Sequence, residues 1–292
     1  MLPEFALLRP KTVSEVLEML AAANAMPIAG GTNVVVDLRA GRGEVTPLLL
    51  TLVDVTRVAG LRGIRCENDH LVIGGGTTIS DLLNDPLIAE HVPALKEAAA
   101  VFANPLIRNR ATVGGNLADA SPAADTAPPL LVLDAEVELA SQGETRRVPL
   151  ADFLVGVRQT LRRHDELLVA VRFPVPPAGS ANHFHKVGLR KADAISVLSA
   201  AVTVTRDAAG RCTSVRIALG ALAPRPLRAT AAESLLFGQR LTPAAIAEAA
   251  RLAGEAARPI DDIRGSAGYR RQVTEVIVRR LLEKALITEV AA

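Results

Sequence analysis

Three short glycine sites constrain this chain more than any other feature: Ala29-Gly30-Gly31-Thr32-Asn33, Gly74-Gly75-Gly76-Thr77-Thr78 and Thr112-Val113-Gly114-Gly115-Asn116. Each lies after or beside an apolar segment and carries small polar neighbours. A Gly-Gly pair lets backbone approach another group closely and permits positive φ, so that successive N–H groups can converge on an anion. Two such loops facing each other can hold a pyrophosphate without Lys or Arg, with Thr and Asn adding neutral hydrogen bonds. For any one site the alternative of a simple tight turn stays open, because glycine is the default turn residue. No Gly is followed by Lys, which removes a Walker A loop. No G-x-G-x-x-G follows a strand, which leaves a Rossmann dinucleotide unit unsupported.

Val13, Val16, Leu17 and Leu20 recur at helical spacing, predicting an amphipathic helix over 12–23 with Ser14 and Glu15 in its first turn. The β-branched run Val34-Val35-Val36 follows the first glycine site. Residues 48–53 and 71–73 read as strands. Ser80 reads as the cap of a helix whose length Pro86 limits. Residues 92–103 read as an alanine-rich helix, and 131–140 and 169–173 as strands. Pro174, Pro176, Pro177 and Gly179 then cluster, which marks a domain boundary. Beyond it, 195–205 and 215–219 read as strands of a meander, and 242–257 and 272–286 as amphipathic helices. Strands grouped before helices favour an α+β unit. The expected domains are 1–177 and 178–292.

Composition narrows the function classes. The 292 residues are 49% hydrophobic, and 33 Lys+Arg against 31 Asp+Glu leave a net charge of +2, no footprint for nucleic acid. Aromatics are 2% with no Trp, so a base-stacking platform is not expected. Cys66 and Cys212 are too few for an iron–sulfur cluster or a four-cysteine zinc site, and are read as small buried hydrophobes. No apolar run approaches the ~18 residues a membrane span needs. The sequence MLPEFALLRPKTVSEV carries no secretory leader pattern, so a cytoplasmic location is expected. His183 and His185 share one side of a predicted strand, but no third metal ligand is evident, and no metal site is assigned. His70, His91 and His164 are isolated. Asp261-Asp262 read as a surface turn. Arg270, Arg271, Arg279 and Arg280 recur on the last helix, as a docking face or a solvated one.

The longer string from Ile107 to Asp125, IRNRATVGGNLADASPAAD, resembles the signature of the FAD-binding medium subunits of the xanthine dehydrogenase and carbon monoxide dehydrogenase family of molybdenum hydroxylases. PIAGGTNVVVDLRAG is similar to that family's first FAD loop, and VIGGGTTISDL to its intervening strand and turn. NHFHKVGLRKADAISVLSAAV resembles the opening of its C-terminal domain, and DIRGSAGYRRQVTEVIVRRLLEKAL its last helices. The resemblance covers essentially the whole chain.

What it implies is specific. The fold would be α+β: a two-part FAD-binding domain of the vanillyl-alcohol-oxidase (PCMH) type, then a small domain of three antiparallel strands and a helical bundle. Ala29, Gly30, Gly31, Thr32 and Asn33 would hold the FAD pyrophosphate through backbone N–H groups. Thr112, Val113, Gly114, Gly115 and Asn116 would form the facing loop, and Asp125 would accept hydrogen bonds from a polar part of FAD. Phe102 and Leu168 align with apolar positions near the cofactor, and Lys186 with a position approaching it from the C-terminal domain. A cation there would favour the anionic reduced flavin. Asn33 stands where the family often has Asp, and Asp119 where it often has Asn. The resemblance also implies non-covalent FAD and no catalytic acid or base. Molybdopterin would sit on a large partner subunit and [2Fe-2S] clusters on a small one, so the chain would relay electrons within a hetero-oligomer. Two other readings remain: a self-sufficient flavin oxidase on the same fold, and a non-enzymatic assembly subunit. No His or Cys adjoins either double-glycine motif, which weighs against covalent flavin. Intact glycine motifs weigh against loss of FAD.

Overall fold

The structure, a computed structural model, describes residues 2–41 and 49–287. The chain opens with β1 (Phe5–Leu8), α1 (Val13–Leu20), β2 (Ala25–Ile28), α2 (Val34–Arg39) and β3 (Leu50–Asp54). β1 and β2 both run parallel to β3, which lies between them. Thr12 starts α1 by accepting the Glu15 N–H at 3.2 Å, satisfying one of the donors a helix start leaves open. Val16, Leu17 and Leu20 then bury against Val53, Val55 and Leu61. The β-branched run Val34-Val35-Val36 opens α2. Gly31, at φ +71, turns the chain after β2, and Val35 N bonds Gly31 O at 3.1 Å to open the helix. The predicted strand over 48–53 is β3, with Leu48 outside the described residues.

Next come β4 (Ile64–Glu67), β5 (His70–Gly74), α3 (Ile79–Asn84), α4 (Pro86–His91), α5 (Pro93–Ala100), α6 (Pro105–Arg108), α7 (Val113–Ala118) and α8 (Ala127–Leu131). They are followed by β6 (Glu136–Ala140), β7 (Thr145–Pro149), α9 (Leu150–Phe153), β8 (Leu154–Gly156), β9 (Gln159–Thr160) and β10 (Leu167–Pro174). An antiparallel sheet in the order β4-β5-β10-β6-β7 carries the core, where Leu71, Ile73, Val137, Val171 and Phe173 meet Leu82, Leu95, Leu117 and Phe153. Ser80 does not cap α3. Thr78 does, in a reciprocal box with Asp81, and the Ser80 hydroxyl instead donates to Asn109 Oδ1. Nor does Pro86 simply limit that helix; it begins a new one, capped by Asp85, as proline at a first helical position does. Cys66 is exposed, against expectation, on the edge strand β4, where Arg65 and Glu67 beside it are exposed too. Cys212 is buried, and burial pushes its thiol up.

The last part is a meander of β11 (Ala181–Val187), β12 (Leu198–Arg206) and β13 (Cys212–Gly220), edged by the short β14 (Leu227–Arg228). It is backed by α10 (Thr230–Leu236), α11 (Pro243–Ala256) and α12 (Ala267–Ile287). Arg270 is no surface residue. It is 1% exposed and pairs with Asp262 in the turn before α12, while Arg271, Arg279 and Arg280 are exposed.

Glu166 anchors the start of β10. It is 1% exposed, and its carboxylate accepts from Arg146 Nε at 2.6 Å, Arg163 N at 2.6 Å and Arg163 Nε at 3.0 Å. Burial alone would push its carboxyl up, but these donors bring it down from 4.5 to about 2. A carboxyl lowered on folding stabilises fully above its unfolded pKa and loses that contribution as pH falls through the folded one. Urea denaturation of wild type and Glu166→Gln should therefore show a stability gap that is constant above pH 5 and narrows from about 4.5 towards about 2. A gap independent of pH would mean that the carboxylate charge is not what Arg146 and Arg163 hold.

Candidate cofactor-binding site

The middle glycine site touches the second double-glycine loop, and the first loop touches Arg110 and Ala111 just before that loop. A Cβ on Gly75 would lie 2.2 Å from Leu168 O, one on Gly114 would lie 2.7 Å from Gly75 O, and one on Gly30 would lie 1.9 Å from Arg110 O. The layers are also hydrogen-bonded: Gly75 N to Val169 O at 2.8 Å, Gly114 N to Gly75 O at 2.9 Å and Val113 N to Thr77 O at 2.9 Å. From β10 outward, the backbone thus stacks through Gly74–Gly76 and α7 to the first loop. Glycine is needed here because backbone meets backbone at distances no side chain survives. The middle site, read from sequence as a strand and turn, is the base on which the second rests.

The two outer loops are unequal as donors. At the second, Val113 and Gly114 N–H are used as above, Gly115 N bonds Thr112 Oγ1 at 3.0 Å, and Asn116 N bonds Thr112 O at 2.9 Å. At the first, no described residue offers an acceptor to the N–H groups of Gly30, Gly31, Thr32, Asn33 or Val34. The loop is partly exposed, so these donors are reachable. Consecutive unpaired amides around a left-handed Gly31 form a nest suited to an anion. That is the fit a pyrophosphate of FAD requires: the first loop presents donors and the second is the wall behind them. Leu168, 6% exposed, lies beneath this stack through its contact with Gly75.

Asp125 and Lys186 meet across the two parts of the molecule. Lys186 Nζ donates to Asp125 Oδ2 at 2.6 Å, and the side chains are 6% and 7% exposed. Ser196 Oγ donates to Asp125 Oδ1 at 2.6 Å, and Lys186 Nζ also reaches Val101 O at 3.3 Å. Burial pushes the Asp125 carboxyl up, and the Lys186 ammonium and Ser196 hydroxyl oppose that. Lys186 is therefore half of a neutral pair, not a bare cation. Asn116, two residues after Gly114, accepts from Thr126 Oγ1 at 2.6 Å and so ties the second loop to the neighbour of Asp125. Phe102, half-buried, packs at the edge of the core, and its carbonyl accepts from Arg108 at 2.9 Å. A cavity of about 410 Å³ opens beside the pair, lined by Val101, His185, Lys186, Arg190 and Lys191 among others. Sequence reading missed Ser196 and the Val101 carbonyl, which no spacing rule flags. Among the described residues, no cluster of three or more His, Cys, Asp or Glu side chains is arranged to hold a metal ion. His183 and His185 lie on β11, and Glu97 lies near both.

The two departures from the family pattern face each other. Asn33 Nδ2 donates to Asp119 Oδ2 at 2.8 Å. Asn33→Asp alone would set two carboxylates in contact and should cost about 1 kcal/mol or more. The double variant Asn33→Asp/Asp119→Asn should return to within about 0.5 kcal/mol of wild type. Strictly additive effects in urea denaturation would show that the two side chains do not interact.

The chain is similar to known proteins along nearly its whole length. Residues 3–176 match the family described as the FAD binding domain in molybdopterin dehydrogenase, and residues 183–285 match the CO dehydrogenase flavoprotein C-terminal domain. The chain is 36% identical to the 6-hydroxypseudooxynicotine dehydrogenase complex subunit alpha of Paenarthrobacter nicotinovorans, covering 97% of this chain and 95% of that one. It is 31% identical to the carbon monoxide dehydrogenase medium chain of Hydrogenophaga pseudoflava, covering 97% of each. Among solved structures, a Cu,Mo-CO dehydrogenase chain superposes with a TM-score of 0.92 at 32% identity, over 99% of this chain and 100% of that one. Both the two-part FAD-binding domain and the small C-terminal flavoprotein domain expected from the sequence are present. The chain belongs to the family of FAD-binding medium subunits of the molybdenum hydroxylases.

Proposed function

We propose that this chain is the electron-transfer subunit of a multi-subunit molybdenum hydroxylase. Electrons from [2Fe-2S] clusters on a small partner subunit pass through its non-covalent FAD to an external acceptor such as NAD+, a quinone or oxygen. Substrate is oxidised at molybdopterin on a large subunit, in a cytoplasmic hetero-oligomer. The relatives support this reading, being a medium chain of carbon monoxide dehydrogenase and a subunit of a dehydrogenase complex. The domains are taken as 1–177 for the FAD-binding part and 178–292 for the C-terminal part.

The observation that carries the proposal is the run of unpaired amides from Gly30 to Val34, walled by the second glycine loop. Bound FAD supplies the redox chemistry, storing two electrons and exchanging them singly, while the protein positions it and sets its potential. Ala29, Gly30, Gly31, Thr32 and Asn33 hold the pyrophosphate by backbone N–H groups. Thr112, Val113, Gly114, Gly115 and Asn116 fix the wall against which it lies. Asp125, held by Lys186 and Ser196, offers its carboxylate edge to a polar group, and Phe102 and Leu168 supply apolar surface. None of these residues needs to act as a general acid or base.

The test is an absorbance spectrum of the purified chain, acid precipitation and identification of the flavin released, repeated with co-expressed partner subunits. The expected result is stoichiometric FAD, released by acid, that substrate bleaches only when the partner subunits are present. Bleaching in the isolated chain would instead establish a self-sufficient oxidase. A colourless chain in an active complex would establish an assembly role.

A further inference from the structure

We propose that Arg158 is a positioning residue that clasps the two sides of the flavin site together, so that its loss speeds release of FAD while leaving the fold intact. This rests on the FAD reading above. Arg158 stands at the tip of the turn between β8 and β9, in the left-handed region at φ +57. Its N–H donates to Ala120 O at 3.0 Å, and Ala120, just past the end of α7, is itself left-handed at φ +48. Left-handed backbone at a residue with a side chain is costly and persists where the surroundings hold it. Two such residues joined by a hydrogen bond fix the turn onto the far end of the second glycine helix.

From that tip the guanidinium spans the site. Nη2 bonds the Asp37 carboxylate on α2 and lies 3.1 Å from Asp119 Oδ1 at the end of α7. Asp37 N bonds Asn33 O at 2.9 Å, and Asn33 Nδ2 bonds Asp119 Oδ2 at 2.8 Å. The ring Asn33, Asp119, Arg158, Asp37 therefore closes on the first glycine loop itself. It joins the helix that follows the amide nest to the helix that forms its wall. The Arg158 side chain is 52% exposed, whereas the Asp37 and Asp119 side chains are 17% and 13% exposed. One half-exposed cation thus screens two covered carboxylates beside a loop whose ligand carries a diphosphate. Remove it, and both carboxylates face that diphosphate within the reach of charge interaction, about 10 Å at 0.1 M salt.

The test uses the full chain, with its partner subunits where FAD loading requires them, as wild type, Arg158→Gln and Arg158→Lys. FAD release is followed by the rise of flavin fluorescence on dilution. Arg158→Gln should release FAD about tenfold faster, because the loop that holds the diphosphate loses its tether and two covered carboxylates lose their counter-charge. Arg158→Lys keeps the charge but not the guanidinium whose Nη2 meets both carboxylates, and should fall between. The gap should narrow at high salt, because salt weakens the clasp in wild type and screens the repulsion in the variant. The melting temperature of the flavin-free protein should stay level, as expected for a half-exposed ion pair. Hydrogen exchange on flavin-free protein gives a readout independent of FAD: the hydrogen-bonded amides of Val35, Asp37 and Ala40 should exchange about tenfold faster in Arg158→Gln. Equal release and equal exchange overturn the clasp, and a large drop in melting temperature makes Arg158 merely structural. A wild-type protein that never holds FAD overturns the flavin reading, and the exchange comparison still decides the clasp.

Discussion

Gly30→Ala is expected to destabilise the flavin-free protein by about 3 kcal/mol, at the upper end of the range for overpacking, although it adds a single methyl group. The added Cβ would sit 1.9 Å from Arg110 O, 2.4 Å from Arg110 C and 3.0 Å from Ala111 N. All are backbone atoms, held by the bonds of Ala111 N to Ile107 O at 2.7 Å and Ile79 N to Ala111 O at 2.9 Å. Nothing there can rotate away, so the first loop must lift off the second. The amide nest loses its wall, and FAD content should fall with stability. Gly114→Ala, with its Cβ 2.7 Å from Gly75 O, should show the same coupling at smaller size. Gly143→Ala, with nothing within 4 Å, is the control and should stay within about 0.5 kcal/mol of wild type. The measurement is a melt of each variant with and without FAD. If Gly30→Ala melts like wild type without FAD and fails only to bind it, the glycine serves the ligand alone and the stacked-loop account is wrong.

That contrast marks how much of the site the sequence carries. The glycine pairs, their polar neighbours and their order along the chain were legible, and they led to the family and the fold. A sequence reports that a Cβ is missing; it does not report what fills the space. Read alone, Gly114 looks like room for a ligand, whereas its missing Cβ is occupied by Gly75 of the middle site. The inequality of the two loops as donors was hidden for the same reason, since it depends on which amides the stack consumes. Local rules failed where a stronger local or tertiary term acted. Val34–Val36, a β-branched run that the sequence left without an element, is helical because Gly31 turns the chain and Val35 bonds back to it. Thr78 displaced Ser80 as a cap because Asp81 completed its box. Arg270 looked like part of a basic helix face until Asp262 buried it. The pairs that matter most to the site lie far apart in the chain, Asn33 and Asp119 by 86 residues and Asp125 and Lys186 by 61. With one sequence, residue types at such separations carry no sign of who meets whom.

Breaking the pair of Asp125 and Lys186 should produce the other large effect, and its two halves should not behave alike. Asp125→Asn leaves a buried ammonium with no counter-charge, only neutral acceptors: the introduced amide oxygen and the Val101 carbonyl at 3.3 Å. An uncompensated buried charge of this kind costs about 3–5 kcal/mol. Lys186→Met leaves the carboxylate with the Ser196 hydroxyl, and a carboxyl that burial already pushes up can escape by taking a proton. Its folded pKa then lies further above the unfolded one, so its penalty is absent at low pH and grows as pH rises towards the folded pKa. Lys186→Met should therefore look nearly normal below about pH 4 and progressively unstable above it, while Asp125→Asn stays unstable across that range. The double variant Asp125→Asn/Lys186→Met removes both charges and should recover most of the loss, as replacing a whole buried pair often does. The flavin supplies a second readout by the same logic. An unpaired carboxylate near the ring should lower the reduction potential, an unpaired ammonium should raise it, and the double variant should sit close to wild type. If the single variants match wild type in both stability and potential, the pair is neither buried as described nor beside the flavin. If stability falls but potential never moves, the pair belongs to the junction between β11 and the rest of the chain, and Lys186 leaves the cofactor site.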